Sequence, residues 1–115
     1  MTTIFRAEAV KKIMGKKLDD MCVQAVLGDP SVLDSEAARI RDYRRFLELV
    51  TDEMRDGLYY VGEIGELTDG MFRNMCAEAI EKNGSDAELV CDIVEAKAFR
   101  GFSKFLTDEL KEEED

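Results

Sequence analysis

The feature that most constrains this chain is a set of apolar residues that recur every three or four positions across its middle. Seven positions near a heptad spacing carry this pattern: Ile40, Tyr43, Leu47, Val50, Met54, Leu58 and Val61. Residues spaced in this way lie on one face of an α-helix. We therefore predict one long helix that begins between Asp29 and Ser35 and runs to about Val61. Pro30 and Asp34 provide its start signals.

The apolar face of this predicted helix is wider than a coiled-coil seam. Phe46 and Leu49 extend it beyond the two positions per heptad that a two-stranded coil requires. A broad apolar stripe is typical of a helix packed inside a bundle, so we favour a bundle core over an intermolecular zipper. Gly57 falls inside the predicted helix, where glycine is unfavourable.

Glycines divide the rest of the chain, because glycine ends helices and is disfavoured in their interiors. A first helical stretch precedes Gly28 and forms one helix or two, depending on the effect of Gly15. Residues 62–70 contain three glycines and are predicted to be a connector between helices. A third helix should then begin at a Thr68 or Asp69 cap, and a fourth after the Ser85 cap.

These elements predict an all-α fold, a compact helical bundle of four to five helices with one long central helix. A chain of 115 residues is the size of one domain with one core. We assign that domain to residues 1–110. The acidic end, residues 111–115, is predicted to be a frayed tail.

The charge of the chain bears on its partners. Its 26 acidic and 16 basic residues give a formal net charge of −10, which repels nucleic acid and anionic membranes and attracts basic partners. The sequence lacks a long apolar run and a signal-peptide pattern, so we predict a cytoplasmic protein that does not enter a membrane. Cys22, Cys76 and Cys91 stand among apolar neighbours and are predicted to be reduced core residues.

The residue types that most often carry catalysis are scarce. The chain contains no histidine, the commonest general base and metal ligand. Its acids and glycines match neither an EF-hand nor a phosphate-binding or dinucleotide-binding loop. We therefore predict no enzyme activity, no cofactor and no metal site.

Two basic islands interrupt the acidic sequence. Residues 1–18 hold five Lys or Arg against one acid, and residues 39–45 hold four arginines against Asp42. The candidate partner contacts in the second island are Arg39, Arg41, Arg44 and Arg45. Pairing with acids such as Asp42 and Glu48 would give these arginines a structural role. Recognition of an acidic surface or a phosphate would give them a functional one.

Phe99 and Phe102 complete the candidate contact residues. With Phe105 and Leu106 they cover more of the fourth helix than one core face requires. Burial within the bundle and burial against a partner or a second copy are both open at this point.

The leading functional hypothesis is a non-enzymatic protein–protein interaction module, an adaptor, inhibitor or assembly subunit that acts through charged helix surfaces. It could act as a homo-oligomer or as an acidic mimic of nucleic acid. The alternative is a nucleic-acid or anionic-ligand binder that uses residues 39–45 together with the N-terminal lysines, Lys11, Lys12, Lys16 and Lys17. That alternative requires the two basic islands to meet in space.

Overall fold

The structure is a computed structural model that describes residues 3–82 and 84–114. Its helices are α1 (Ala7–Leu27), α2 (Leu33–Met54), α3 (Val61–Glu81) and α4 (Asp86–Glu112). A 3₁₀ turn over Pro30–Val32 joins α1 to α2. Two-residue strands, β1 (Ile4–Phe5) and β2 (Tyr59–Tyr60), pair antiparallel; β1 precedes α1 and β2 precedes α3 in the chain. The prediction of an all-α bundle is confirmed for these residues.

The four helices form two hairpins, α1–α2 and α3–α4, that pack against each other through α4, which contacts both α2 and α1. Aromatic side chains make the junction. The rings of Phe46 and Phe99 pack edge to face with centroids 5.2 Å apart, and those of Tyr43 and Phe102 do the same at 5.2 Å. The resulting molecule is flat, with extents of 47 × 37 × 18 Å.

The core lies at this junction and leaves one end of the α3–α4 hairpin outside it. Its fully buried members are Val10, Met14, Phe46, Val50, Ile64, Phe99, Phe102, Leu106 and Leu110. Within the main core cluster, the buried residues of α3 end at Ile64 and those of α4 begin at Phe99. We call residues 72–81 and 86–97 the distal half of the α3–α4 hairpin. Phe72 and Met75 at its inner end pack against this cluster, and the rest extends beyond it.

The long helix ends earlier than predicted. Its start is confirmed, but α2 stops at Met54 because Arg55 turns the chain with φ 52° and ψ −129°. The Gly57 amide then donates a 3.0 Å hydrogen bond to the Met54 carbonyl, which closes the turn. Leu58 is therefore an exposed loop residue, and Val61 begins the next helix. With 27 residues, α4 is longer than the 22-residue α2.

The predicted connector over residues 62–70 is wrong, because these residues are helical. The helix α3 starts at Val61, where the Glu63 side chain accepts a 3.0 Å hydrogen bond from the Tyr60 amide. Thr68, predicted to be a cap, is buried in mid-helix, and its hydroxyl lies 2.6 Å from that of Ser103 on α4. This hydrogen bond fixes the register of α3 on α4.

Three smaller predictions are also resolved. The first stretch is one helix that continues through Gly15. The helix α4 includes Lys111 and Glu112 of the predicted tail, whereas Asp115 lies outside the described residues. Of the predicted core cysteines, Cys22 and Cys76 are partly buried, but Cys91 is exposed.

Candidate protein-binding surface

The two predicted phenylalanine contacts lie in the core. Phe99 and Phe102 have no solvent-exposed surface and pack against Phe46 and Tyr43 of α2. A partner cannot reach them while the monomer is folded, so we no longer assign them to a contact surface. The excess of apolar residues on α4 is real, but it lies nearer the N-terminus of the helix.

The four predicted arginines remain on the surface. Arg45 pairs with Glu95 of α4 and so links the two hairpins, while Arg41 Nε lies 3.7 Å from the Asp42 carboxylate. The Arg39 guanidinium sits over the Tyr43 ring, 5.2 Å from its centroid. Exposed ion pairs of this kind contribute up to about 1 kcal/mol each. Three of the four arginines therefore make contacts within the molecule.

The two basic islands do meet, at a shallow depression between α1 and α2. Lys11 and Arg44 both line this space of about 230 Å³, and so do the acids Asp19 and Glu48. The Lys11 ammonium lies 3.7 Å from the Glu48 carboxylate. Acidic side chains thus interrupt the basic surface.

Lys17, the last lysine of α1, is also paired with an acid. Lys17 Nζ lies 3.2 Å from Glu109 Oε2 of α4. Hydrogen bonding to Glu109, followed by the attraction of its charge, holds the pKa of Lys17 above its ordinary value. This lysine is therefore committed to a contact within the molecule.

The most distinctive surface is an apolar groove between α3 and α4, in the distal half of their hairpin. It has a volume of about 500 Å³. Its apolar walls are Phe72, Cys76, Ala79 and Ile80 from α3 and Leu89, Ile93 and Ala96 from α4. Asp92, Lys97 and Arg100 are the charged residues at its edges.

Large aliphatic side chains on and beside this groove stand in solvent. The exposed fractions are 75% for Ile80, 59% for Val90, 55% for Ile93 and 61% for Val94. Val90 lies one helical turn from both Ile93 and Val94, so the exposed patch continues from the groove across the face of α4. Contiguous apolar surface of this kind commonly marks a protein contact site. We call this groove and the four aliphatic residues the distal apolar surface.

The opposite side of the same hairpin is polar. A second, smaller depression there is lined by Glu78, Lys82, Asp92 and Glu95, among others. Lys82 Nζ lies 3.6 Å from the Asp92 carboxylate, and Glu95 pairs with Arg45. The charged residues of the distal half therefore gather at this depression, although Met75 and Ala79 also line it.

A second group of exposed apolar residues lies at the α1–α2 turn. It consists of Val23, Val26, Leu27, Val32 and Leu33. The turn between them is fixed by Asp29, whose carboxylate accepts a 2.9 Å hydrogen bond from the Ser31 amide. This hydrogen bond lowers the pKa of Asp29. These residues surround a turn, whereas the distal apolar surface runs along two helices.

The sequence analysis did not locate the distal apolar surface. It considered Phe99, Phe102, Phe105 and Leu106 of α4, but not Ile93, which is nine residues from Phe102 and so lies on the opposite side of an ideal helix. The available signal was the number of apolar residues on α4, which exceeds what one face can hold. That signal identified the correct helix and the wrong end of it.

Comparison of the chain with protein-family models, curated proteins and solved structures finds no significant match. Within residues 3–82 and 84–114, none of the helices is long and apolar enough to cross a membrane. In the same residues, no three His, Cys, Asp or Glu side chains converge as a metal site.

Proposed function

We propose that this protein is a non-enzymatic protein-binding module whose contact surface is the distal apolar surface. The observation that carries the proposal is the exposure of Ile80, Val90, Ile93 and Val94 on one side of a helical hairpin. Burying apolar surface favours association, against the cost of ordering two molecules into one complex. Adaptors, inhibitors and assembly subunits all work through surfaces of this kind.

The shape of the surface favours a helical partner. Two adjacent helices with an apolar groove between them can accept the apolar face of a third helix, whose anchors recur every three or four residues. The groove opens beside Ile80 and Ile93, so such anchors would reach it directly. The proposal therefore places the partner contact on the distal apolar surface and not on the arginines of residues 39–45. Acidic mimicry of nucleic acid stays a prediction.

Site-specific photo-cross-linking in cells of the native host tests this proposal. A photoreactive phenylalanine analogue replaces Ile93, and separately Asp56, an exposed loop residue outside the surface, as the matched control. We expect position 93 to form covalent adducts with a defined protein and position 56 to form none. Equal adducts at the two positions, or none at position 93, would contradict a protein contact here.

A second candidate function is binding of an anionic ligand at the depression that Lys11 and Arg44 share. The meeting of the two basic islands favours it, whereas Asp19 and Glu48 oppose it. Titration calorimetry with a short single-stranded oligonucleotide tests it. Binding that Arg44→Glu abolishes would support this function, and no heat of binding at low salt would exclude it.

A further inference from the structure

Two residues of opposite charge flank Ile93 at equal distances along α4. Asp86, Ile93 and Arg100 are spaced by seven residues, so they fall on one stripe of the helix. A spacing of seven residues corresponds to about 10.5 Å along the axis. The stripe therefore has an acid at one end, an exposed apolar residue in the middle and a cation at the other end.

This order makes the stripe complementary to itself when it is reversed. If two α4 helices are placed antiparallel around Ile93, Asp86 of each faces Arg100 of the other. Lys97 stands next to Arg100 on the same edge of the groove and strengthens the basic end. A parallel arrangement would instead bring like charges together. Self-complementarity under a two-fold axis is what a symmetric dimer requires.

Both end charges are available for such contacts. Asp86 and Arg100 are exposed, and Arg100 has its guanidinium over the Phe72 ring, 5.2 Å from the centroid. That position keeps the cation at the open edge of the groove. Two nearby charged residues, Lys82 and Asp92, pair with each other, and Asp92 lines both the groove and the polar depression.

We propose that the distal apolar surface binds a second copy of this chain. The two α3–α4 hairpins dock antiparallel around Ile93 and form a four-helix bundle. This inference rests on the proposed function and names its partner. The polar side of each hairpin, where Glu95 pairs with Arg45, stays outside the bundle. The assembly therefore closes at two copies.

Binding of an unrelated helical partner would depend on different charged residues. It could use the basic edge at Lys97 and Arg100 if it carried acidic residues, but it would have no need of Asp86. Dependence on both Asp86 and Arg100 therefore distinguishes a second copy from an unrelated partner.

Sedimentation equilibrium of the full chain and its charge variants tests the proposal. We expect a dimer for the unchanged protein, and a dissociation constant about tenfold higher for Asp86→Arg or Arg100→Asp alone, because each variant faces like charges at two sites. Mixing the two variants should restore dimers, since a mixed pair has opposite charges at both sites. The double variant Asp86→Arg/Arg100→Asp should also dimerise. Asp108→Arg, the same charge change elsewhere on α4, is the control and should have no effect.

Thermal unfolding measured by circular dichroism checks that each variant folds. Asp86 lies in the first turn of α4, where an acid is favourable, so Asp86→Asn serves as a milder second variant and should weaken the dimer less. A monomer at the highest concentration, single variants that dimerise normally, or a mixture that stays monomeric would each overturn the proposal.

The outcomes also separate this inference from the proposed function. If the chain is monomeric but position 93 cross-links to a different protein, the dimer is wrong and the binding module stands. If neither occurs, both proposals fail.

Discussion

Phe102 lies against Tyr43 and Phe46, with ring centroids 5.2 Å and 5.9 Å away, and none of its surface reaches solvent. Val94, eight residues earlier on the same helix, is 61% exposed. Periodicity assigns both residues to the apolar part of α4, because it reports the direction of a side chain around the helix. It does not report what covers that side chain. The wrong assignment of Phe102 to a contact surface follows from this limit.

We expect Phe102→Ala to lower the free energy of unfolding by about 3–5 kcal/mol, since it removes a fully buried ring from a close-packed junction. Val94→Ala, the matched control on the same helix, should change it by no more than about 0.5 kcal/mol at a concentration where both chains are monomeric, because Val94 is 61% exposed. Urea denaturation followed by circular dichroism measures both. Equal small losses would show that Phe102 is not part of the core.

Among the helices, the end of α2 depends on a turn whose sequence signal is weak. The apolar spacing continues through Met54, Leu58 and Val61, as it would in one continuous helix. The residue that turns the chain with positive φ is Arg55, where glycine would be the expected residue. Gly57 is the visible break. A Cβ at that position would lie 2.6 Å from the Tyr59 ring, so the close approach of the ring requires glycine.

We expect Arg55→Gly to raise the free energy of unfolding by about 1 kcal/mol. A side chain held at φ 52° and ψ −129° costs about 1–3 kcal/mol, and the added backbone entropy of glycine offsets part of the gain. Turns of this shape prefer glycine at the first central position. Asp56→Gly, at the next position of the same turn, is the control and should bring no gain. A loss of stability in Arg55→Gly would contradict the backbone strain inferred at this residue.

The start of α3 was missed for a related reason. Three glycines within residues 62–70 predicted a connector, although Val61, Ile64 and Thr68 already have helical spacing. Glycine is unfavourable in a helix by about 1 kcal/mol, which packing against α4 can exceed. The buried Ile64 and the Thr68–Ser103 hydrogen bond provide that packing. A local propensity was therefore overridden by tertiary contacts.

In the whole molecule, the fold class and most of the α2 core face were predictable, because both depend on patterns within single helices. Leu49, assigned to that face, is instead 43% exposed. The contact surface was not predictable, because it depends on how far one hairpin extends beyond its junction with the other. Where the hairpins cross, apolar residues of α4 are covered. In the distal half of α3–α4, the same kind of residue is left in solvent.

We infer that the distal apolar surface serves association and not the fold of the monomer. The most direct test is the free energy of unfolding of Ile93→Glu, measured by urea denaturation at a concentration where light scattering shows both variant and unchanged chain to be monomeric. We predict a value within about 1 kcal/mol of the unchanged chain, since Ile93 is 55% exposed. A loss of about 3 kcal/mol or more would place Ile93 in the core and contradict its assignment to a contact surface.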